Sequence, residues 1–364
     1  MVFNRKSLPM AYAIPLPKGL AYALSGYFAA CVCILLCSTP GFTQDDYFAA
    51  ISNSRSRAVA MGGAITAVND DMGAMSFNPG SYSLFEDRRG LHYTVALNPI
   101  LPLVSSDQPD NFIYNRDNGL QSFAGALQYL VKSIGMSYKL LDIGILLNEE
   151  QIISRPGGRF FDSEDFIDNL YHTAVANIKL STQVSIGVSG SYIRNSSNGS
   201  VDKGTGFSYG VLLKPSSIYQ VGITYIDFSD HIPNTRKRFE RLADESLNAG
   251  IMVMPWNEVI LSVDVRNLTD SDKQDNFGLQ EFHFGFEISR IPHLALRGGY
   301  YREKDESLYT HVYSAGVGLL DVNRFRPLMR KFDHKTPLLS YTMLFENTPL
   351  EQYRWHFLTL GLQF

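Results

Sequence analysis

From residue 91 to the C-terminus, apolar residues alternate with small or polar ones along one segment after another. The pattern is clearest at 259–265 and 282–288, where every second residue is aliphatic or aromatic. A period of two is that of a β-strand whose two faces meet different surroundings. The second face carries mostly Gly, Ser, Thr and Gln with few charges, whereas a face exposed to water would carry many Lys and Glu. This composition favours the lumen of a transmembrane β-barrel.

The pattern predicts fourteen strands, and so an all-β fold, a transmembrane antiparallel barrel. They are drawn at 91–97, 120–130, 133–147, 171–181, 183–194, 205–214, 217–228, 245–254, 257–266, 277–290, 292–301, 309–320, 337–345 and 354–364. Long polar connections such as 98–119, 148–170, 195–204, 229–244 and 302–308 alternate with connections of two residues or fewer, such as Val131-Lys132 and Pro215-Ser216. Outer-membrane barrels have long external loops and tight periplasmic turns. The basic connection 321–336 breaks the rule, so either a strand is miscounted or a periplasmic segment protrudes there.

Composition excludes two other classes of protein. The chain has 364 residues, of which 19% are charged and 12% aromatic, and its net charge is −4. A nucleic-acid-binding protein would need a basic face, and no Lys/Arg-rich helix supplies one. The mean hydropathy of −0.08 is too low for a polytopic helical membrane protein, each of whose helices needs about 20 apolar residues in a row.

The N-terminus reads as an export signal. An apolar run at 20–37 follows Arg5, Lys6 and Lys18 and precedes a segment rich in helix-breaking residues. This is typical of a signal peptide, here 1–43 with cleavage near Thr43 and Gln44; an uncleaved anchor is the alternative. All three cysteines lie in the run, at Cys31, Cys33 and Cys37, so a mature chain has no thiolate chemistry. The expected destination is the outer membrane of a diderm bacterium.

The C-terminal strand ends on an aromatic residue in register with its apolar face. One face is formed by Leu358, Leu360, Leu362 and Phe364. Such an ending resembles the signal by which the barrel-assembly machinery recognises outer-membrane proteins. We therefore expect that machinery, outer-membrane lipid and lipopolysaccharide among the partners. The cationic loop at 229–244 is either a lipopolysaccharide contact or an ordinary solvated loop.

The titratable residues do not form a catalytic pattern. No histidine has metal-ligand spacing, and no G-x-S-x-G motif is present. We therefore predict no enzyme activity, no catalytic residue, no metal and no cofactor. Alternation instead places five charged or polar residues on the non-lipid face of three consecutive strands: Asp264, Arg266, His283, Glu287 and Arg297. They form either a salt-bridge network that fills the lumen, or a group that lines a polar constriction or holds the N-terminal segment.

The segment 44–90 does not follow the strand pattern and carries a motif of its own. Its residues are Arg57, Met61, Gly62, Gly63, Asp70, Asp71, Asn78 and Pro79. This series resembles the N-terminal signature of the FadL-type outer-membrane transporters and of the related PorV and PorQ family. The runs 261–267 and 293–300 resemble strands of PorV-type barrels. Gly80 stands where the family usually has alanine.

The resemblance implies a barrel of about 14 strands at 91–364 whose segment 44–90 folds inward as a hatch or plug. Residue chemistry agrees, because glycine permits close backbone approaches and Asn-Pro favours a turn. The alternative is a helix-turn unit packed beneath the barrel with no gating role.

Two functions follow from the resemblance. The first is passive transport of hydrophobic small molecules; the alternative is a non-enzymatic component or shuttle of type IX secretion that binds exported proteins. A transporter should have apolar residues in its lumen, for which Ile226, Phe228, Ile260 and Leu320 are the candidates. A partner-binding barrel should have long external loops, for which 98–119 and 148–170 qualify.

Overall fold

A computed structural model of the protein describes most of the chain after residue 45. The described residues are 46–50, 56–69, 72–83, 90–98, 130–150, 170–197, 200–228, 245–256, 258–268, 280–291, 294–305, 308–319, 336–347 and 352–363. The predicted signal peptide at 1–43 lies outside them and stays a prediction.

Strands dominate the described residues. They are β1 Asp46–Ala50, β2 Leu91–Leu97, β3 Val131–Tyr138, β4 Leu141–Glu150, β5 Leu170–Lys179, β6 Val184–Ser197, β7 Ser200–Leu213, β8 Tyr219–Phe228, β9 Glu245–Trp256, β10 Val259–Arg266, β11 Glu281–Ile288, β12 Leu294–Asp305, β13 Leu308–Leu319, β14 Thr336–Asn347 and β15 Gln352–Gln363. From β2 to β15 each strand pairs antiparallel with the next, and β15 pairs back to β2. The predicted 14-stranded antiparallel barrel is confirmed.

The two faces of the strands differ as the alternation predicts. On β11, Phe282 and Phe284 are 47% and 45% exposed, whereas His283 between them is 1% exposed. The outward face is therefore apolar and suited to lipid, because every second residue meets hydrocarbon in a transmembrane barrel. The inward face is buried and largely polar.

The seam at which the barrel closes is made by two strand pairings of β15. β15 meets β2 only at Leu362–Leu97 and Gln363–Ala96, while residues 353–357 of the same strand pair in parallel with β1. The segment 44–90, which does not follow the strand pattern, therefore contributes one strand to the sheet. β1 has no alternation of its own and pairs with an edge of β15, which is distant in sequence.

One predicted strand is wrong. The segment 133–147 is not one strand but the hairpin of β3 and β4, with its turn at Lys139 and Leu140. Lys139 has a φ of 49°, and neither glycine nor proline marks the turn, so the alternation runs through it. The strand predicted at 120–130 lies almost wholly outside the described residues. The connections predicted at 195–204 and 302–308 are mostly strand, because β6, β7, β12 and β13 extend into them.

The connections define the two ends of the barrel. At one end the connections between strands, such as 180–183 and 214–218, are short, apart from 320–335. At the other end several are long, including 151–169 and 229–244. We call these the short-turn end and the long-loop end, which correspond to the periplasm and the exterior in outer-membrane barrels.

Among the described residues two short helices precede β2: α1 Ser56–Ala60 and α2 Met72–Phe77, followed by a 3₁₀ turn Pro79–Ser81. Within the described residues, none of the helices has the length and apolar content that a membrane crossing requires. The Asn78 side chain caps the 3₁₀ turn by accepting a hydrogen bond from the Gly80 N–H (2.9 Å). We refer to 56–83 as the N-terminal segment; its described residues pack against the inward faces of the strands.

Candidate functional site

The predicted lumen polar cluster and the predicted N-terminal motif meet in one contact. The Arg57 guanidinium donates to both carboxylate oxygens of Glu287, at 2.8 and 3.2 Å. Arg297 donates to the same carboxylate at 2.7 Å from the barrel wall. Arg57 also donates to the Asn69 carbonyl at 3.0 Å, which joins the two ends of 57–69. Glu287 is thus a bridge between one cation of the segment and one of the wall.

The other three cluster residues bind the backbone of the same segment. Asp264 accepts a hydrogen bond from the Thr66 N–H at 2.8 Å. Arg266 donates to the Gly63 carbonyl, and Nδ1 of His283 lies 2.6 Å from the Gly62 carbonyl. Because these partners are main-chain groups, the contact depends on how the backbone turns and not on the side chains of the motif.

The glycine pair makes that turn. Gly62 and Gly63 have φ values of 62° and 76°, in the left-handed region where a side chain is strained. A β-carbon at Gly63 would also collide with the Arg266 guanidinium, and one at Gly62 would meet the backbone of Tyr300. Glycine is therefore required twice at this point, for conformation and for space.

The charged groups of this contact are buried, so their free energy depends on pairing and hydrogen bonds. Asp264, His283, Glu287 and Arg297 are all less than 7% exposed. A charge removed from water costs several kcal/mol unless it is paired and hydrogen-bonded. Arg57 and Arg297 pair with Glu287, and the segment supplies the hydrogen bonds to Asp264 and His283. The wall supplies one partner of Glu287, and the segment supplies the second partner and the hydrogen bonds to Asp264 and His283.

A second anchor lies across the barrel, on β5 to β7. Asn177 donates to the carbonyls of Pro79 and Gly80 at 2.9 and 2.8 Å, and Ser185 donates to the Gly80 carbonyl at 2.7 Å. Asn78 donates to the Thr66 carbonyl at 2.6 Å. The predicted Asn-Pro motif is therefore the point where the segment folds on itself and contacts the wall.

Tyr82 extends this second anchor to β4. Its hydroxyl donates to the Ile143 carbonyl at 3.3 Å. Burial raises the pKa of the Tyr82 phenol, and the neighbouring Asp142 raises it further, so the hydroxyl keeps its proton and remains a donor.

Inward-facing glycines of the wall receive the segment backbone. A β-carbon added to any of them would overlap atoms of the segment: Gly187, Gly210, Gly222, Gly285, Gly299 and Gly316. At Gly187 and Gly222 those atoms are the carbonyls of Pro79 and Thr66. Register pairs Gly187 with Gly210 and Gly285 with Gly299, so the glycines form a groove across neighbouring strands. We call this set the glycine groove.

Sequence reasoning missed the glycine groove and several polar anchors of the wall. Ser314 donates to the Ala60 carbonyl and Thr342 to the Ser56 carbonyl, each at 2.9 Å. Small and hydroxyl residues are ordinary on a lumen face, so no local signal marked these positions. Glycines that pair with each other across neighbouring strands, in the correct register, would have been the only available sign.

The described residues include most of the predicted site residues. All five residues of the polar cluster face inward and contact the segment or a residue that does. In the predicted insertion signal, Leu358 and Leu360 lie on the outward face of β15. Asp70, Asp71 and Phe364 lie outside the described residues, and of the Leu362 side chain nothing is described. Among the described residues, no three His, Cys, Asp or Glu side chains form a set that could hold a metal ion.

Among the described residues three apolar clusters interrupt the polar lumen, and two of them lie on either side of the glycine groove. The outer cluster combines Val59 of the segment with wall residues of β12 to β15: Tyr301, Val312, Leu344, Trp355 and Phe357. The inner cluster combines segment residues such as Ile65 and Phe77 with Leu212 and Met252, and Ile260 packs against it. Tyr301 lies two residues from Gly299 toward the long-loop end, and Leu212 two residues from Gly210 toward the short-turn end. The clusters therefore flank the glycine groove on opposite sides.

The structure describes the side chains of two of the four residues named as transporter candidates. Ile226 is inward and 5% exposed, and Ile260 packs in the inner cluster. The side chain of Phe228 and the whole of Leu320 lie outside the description.

Comparison with known proteins gives only distant similarities. No family model matches the sequence, and no curated protein is significantly similar. Among solved structures, the CymD monoaromatic hydrocarbon channel is similar at 12% identity over 85% of this chain and 94% of that one, with a TM-score of 0.46. The KdgM porin matches at 7% identity over 54% and 92% of the two chains (TM-score 0.32), and a mutant of the Rhodopseudomonas blastica porin at 7% over 64% and 75% (TM-score 0.33). At these scores the matches bear on neither family nor function.

Proposed function

We propose that the protein is a non-enzymatic outer-membrane channel for passive transport of hydrophobic small molecules, as in FadL-type transporters. The observation that carries this proposal is the pair of apolar clusters on opposite sides of the glycine groove. A channel for hydrophilic solutes gains nothing from Val312, Leu344 and Trp355 on its inner wall, whereas apolar cargo binds best to apolar surface.

The N-terminal segment acts in this proposal as the hatch. Its Val59 occupies the outer cluster, and its Ile65 and Phe77 occupy the inner one. A shift of the segment would uncover both clusters, and cargo would replace the apolar contacts that the segment loses. Cargo would enter at the long-loop end, bind the outer cluster and then reach the inner one.

The test is uptake by whole cells that lack transporters of their own and express this protein. Lipopolysaccharide slows the entry of apolar compounds, so a radiolabelled fatty acid or aromatic hydrocarbon should enter faster with the protein, and a sugar should not. Val312→Thr replaces a methyl group in the outer cluster by a hydroxyl of equal size and should reduce uptake of the apolar tracer several-fold. Val263→Thr, the same change at an outward position that is 40% exposed, is the matched control. Sugar uptake equal to that of the apolar tracer would contradict the proposal.

A second function, a scaffold or shuttle for exported proteins as in the PorV family, is favoured by a different observation. The segment is bound to the wall from β4 to β14, through Tyr82, Asn78 and Arg57 among others. A lumen that stays closed suits a scaffold better than a channel. Mild extraction from the native membrane followed by native mass spectrometry separates the two, because a scaffold should carry a stoichiometric exported protein and a transporter an apolar molecule of low mass.

A further inference from the structure

One aromatic residue of the outer cluster also touches the polar contact that holds the N-terminal segment. The Tyr301 ring stacks on the His283 imidazole, with 4.5 Å between the ring centres and 16° between the ring planes. The register places these two residues opposite each other on β12 and β11. Both side chains are buried. The outer cluster and the polar contact are therefore joined by an aromatic pair that belongs to the barrel wall.

The imidazole of His283 holds the segment through a directional contact. Its Nδ1 lies 2.6 Å from the Gly62 carbonyl, and because a carbonyl oxygen only accepts, Nδ1 carries the proton and donates it. Its Nε2 lies 3.3 Å from a carboxylate oxygen of Glu281. Hydrogen bonds weaken steeply as their angle departs from linear. The orientation of the imidazole, against which the Tyr301 ring packs flat, therefore sets the strength of its bond to Gly62.

Gly62 joins this contact to the apolar side chain that the segment places in the outer cluster. The Gly62 N–H donates to the Val59 carbonyl at 3.0 Å, and Val59 is the residue of the segment in that cluster. Glycine has access to more backbone conformations than other residues, so the turn can rearrange once its carbonyl loses the His283 proton. The backbone at Gly62 thus responds both to the wall and to the outer cluster.

Apolar cargo that binds in the outer cluster would compete with these contacts. The cluster is buried, and protein interiors are close-packed, so a further molecule fits only if a side chain moves. Val59 would leave with the segment, whereas Tyr301 belongs to the wall and would stay beside the cargo. A Tyr301 ring that shifts toward the cargo no longer packs flat on His283, and the imidazole then turns away from the Gly62 carbonyl.

We infer that Tyr301 is a positioning residue of the channel, which couples cargo binding in the outer cluster to release of the Gly62–Gly63 turn by way of the His283 imidazole. This inference rests on the transport function proposed above. The rival route passes through Val59 alone, since its displacement also disturbs Gly62 through their backbone hydrogen bond. That route needs no aromatic ring on the wall, so a substitution of Tyr301 separates the two.

The test is hydrogen exchange of the amides at 62–66 in the purified full-length protein in detergent, with and without naphthalene as an uncharged apolar probe. Each of these five amides donates a hydrogen bond within the segment or to the wall, so faster exchange reports release of the turn. Equilibrium dialysis with radiolabelled naphthalene measures binding in the same detergent. A gel mobility that still shifts on heating verifies that each variant is folded.

Four variants divide the possibilities. Tyr301→Leu removes the stacked ring, whereas Tyr301→Phe keeps it. His283→Gln retains an N–H donor without a ring, and it tests the inference through the other partner of the stack if Tyr301→Leu does not fold. Tyr313→Leu makes the same change as Tyr301→Leu at an exposed outward position on the next strand, and is the matched control.

Naphthalene should speed exchange at 62–66 about fivefold in the wild type, as the loss of one hydrogen bond implies. Tyr301→Phe and Tyr313→Leu should show the same increase. Tyr301→Leu and His283→Gln should bind naphthalene and exchange equally with and without it. An increase that persists in either of these two variants would overturn the inference in favour of the Val59 route. Loss of naphthalene binding in Tyr301→Leu would overturn it as well, because Tyr301 would then serve only to bind cargo.

Failure of this inference differs in its outcome from failure of the proposed function. A wild-type protein that binds naphthalene and takes up the apolar tracer in cells, but shows no faster exchange at 62–66, would overturn the inference alone. A wild-type protein that neither binds naphthalene nor takes up the tracer would contradict the proposed function, and the inference with it.

Discussion

Glu287 is the residue on which the contact between segment and wall depends most. It accepts hydrogen bonds from Arg57 and from Arg297, and its side chain is almost wholly buried. Glu287→Gln removes the negative charge that Arg57 and Arg297 share, which costs about 3 kcal/mol or more. We expect hydrogen exchange of the amides in 57–69 to be about 100-fold faster, while the strands keep their protection.

Asp227→Asn serves as the control for this prediction, because Asp227 is exposed on the outward face and makes no contact of this kind with the segment. Its exchange pattern should equal that of the wild type. Unchanged exchange in Glu287→Gln would mean that the ion pairs do not hold the segment.

Two local properties of the sequence, alternation and charge, predict the polar cluster. Asp264, His283 and Arg297 could be assigned to one face because charges facing lipid are costly. What they bind could not be predicted, since Gly62 and Gly63 contribute carbonyl groups that every residue has. The sequence marks those two positions as glycine, but a backbone acceptor has no signature of its own.

At the scale of elements, the glycine groove decides how closely the segment approaches the strands. Gly210→Ala would drive a β-carbon into the Asn78 side chain and the Gly80 backbone. We expect a loss of about 1 to 3 kcal/mol in the binding of the segment, as overpacking of a close contact usually costs. Limited proteolysis should then cut between residues 56 and 83 faster than in the wild type.

Gly190→Ala is the matched control, because its added β-carbon would meet only the Phe207 ring at 3.5 Å, an ordinary contact. The two glycines lie on adjacent strands and face opposite sides of the wall. Equal protease sensitivity in both variants would show that close backbone approach at Gly210 contributes nothing.

β1 is the element that completes the seam. Phe48→Pro removes the Phe48 N–H and disfavours strand conformation before it, so the parallel pairing with β15 should fail. We expect the temperature at which the folded, fast-migrating gel band disappears to fall by several degrees. Phe48→Ala keeps the N–H, so this temperature should fall less than in Phe48→Pro. Equal shifts in the two variants would assign the effect to the loss of the side chain and not to the loss of the pairing.

Most strands could be predicted because each carries its own alternation and turn residues. The exception at 133–147 shows the limit, since a hairpin whose turn is Lys139 and Leu140 has no breaker and leaves the period unbroken. β1 shows a second limit, because a five-residue strand is specified by the partner edge that it finds.

For the whole molecule, closure of the barrel follows from the number of strands and from the two-faced pattern. The path through the lumen does not follow from either. It depends on how one segment packs against ten or more strands, with apolar clusters such as Val312 with Val59 on one side of the groove and Leu212 with Ile65 on the other. Such contacts join residues more than a hundred positions apart, beyond the reach of local patterns.

The most direct test of a lumen path gated by the N-terminal segment is to fix this segment to the wall and measure transport. Ala60 faces Gly316 closely enough that an ideal β-carbon at Gly316 lies 2.5 Å from that of Ala60, and a shift of about 1 Å brings Ala60→Cys/Gly316→Cys into disulfide range. No cysteine follows Cys37, so no other thiol of the barrel competes. Uptake of the apolar tracer should be lost when the pair is oxidised and should return on reduction, while each single variant transports in both states. Uptake that is equal in the oxidised and reduced double variant would contradict a lumen path gated by this segment.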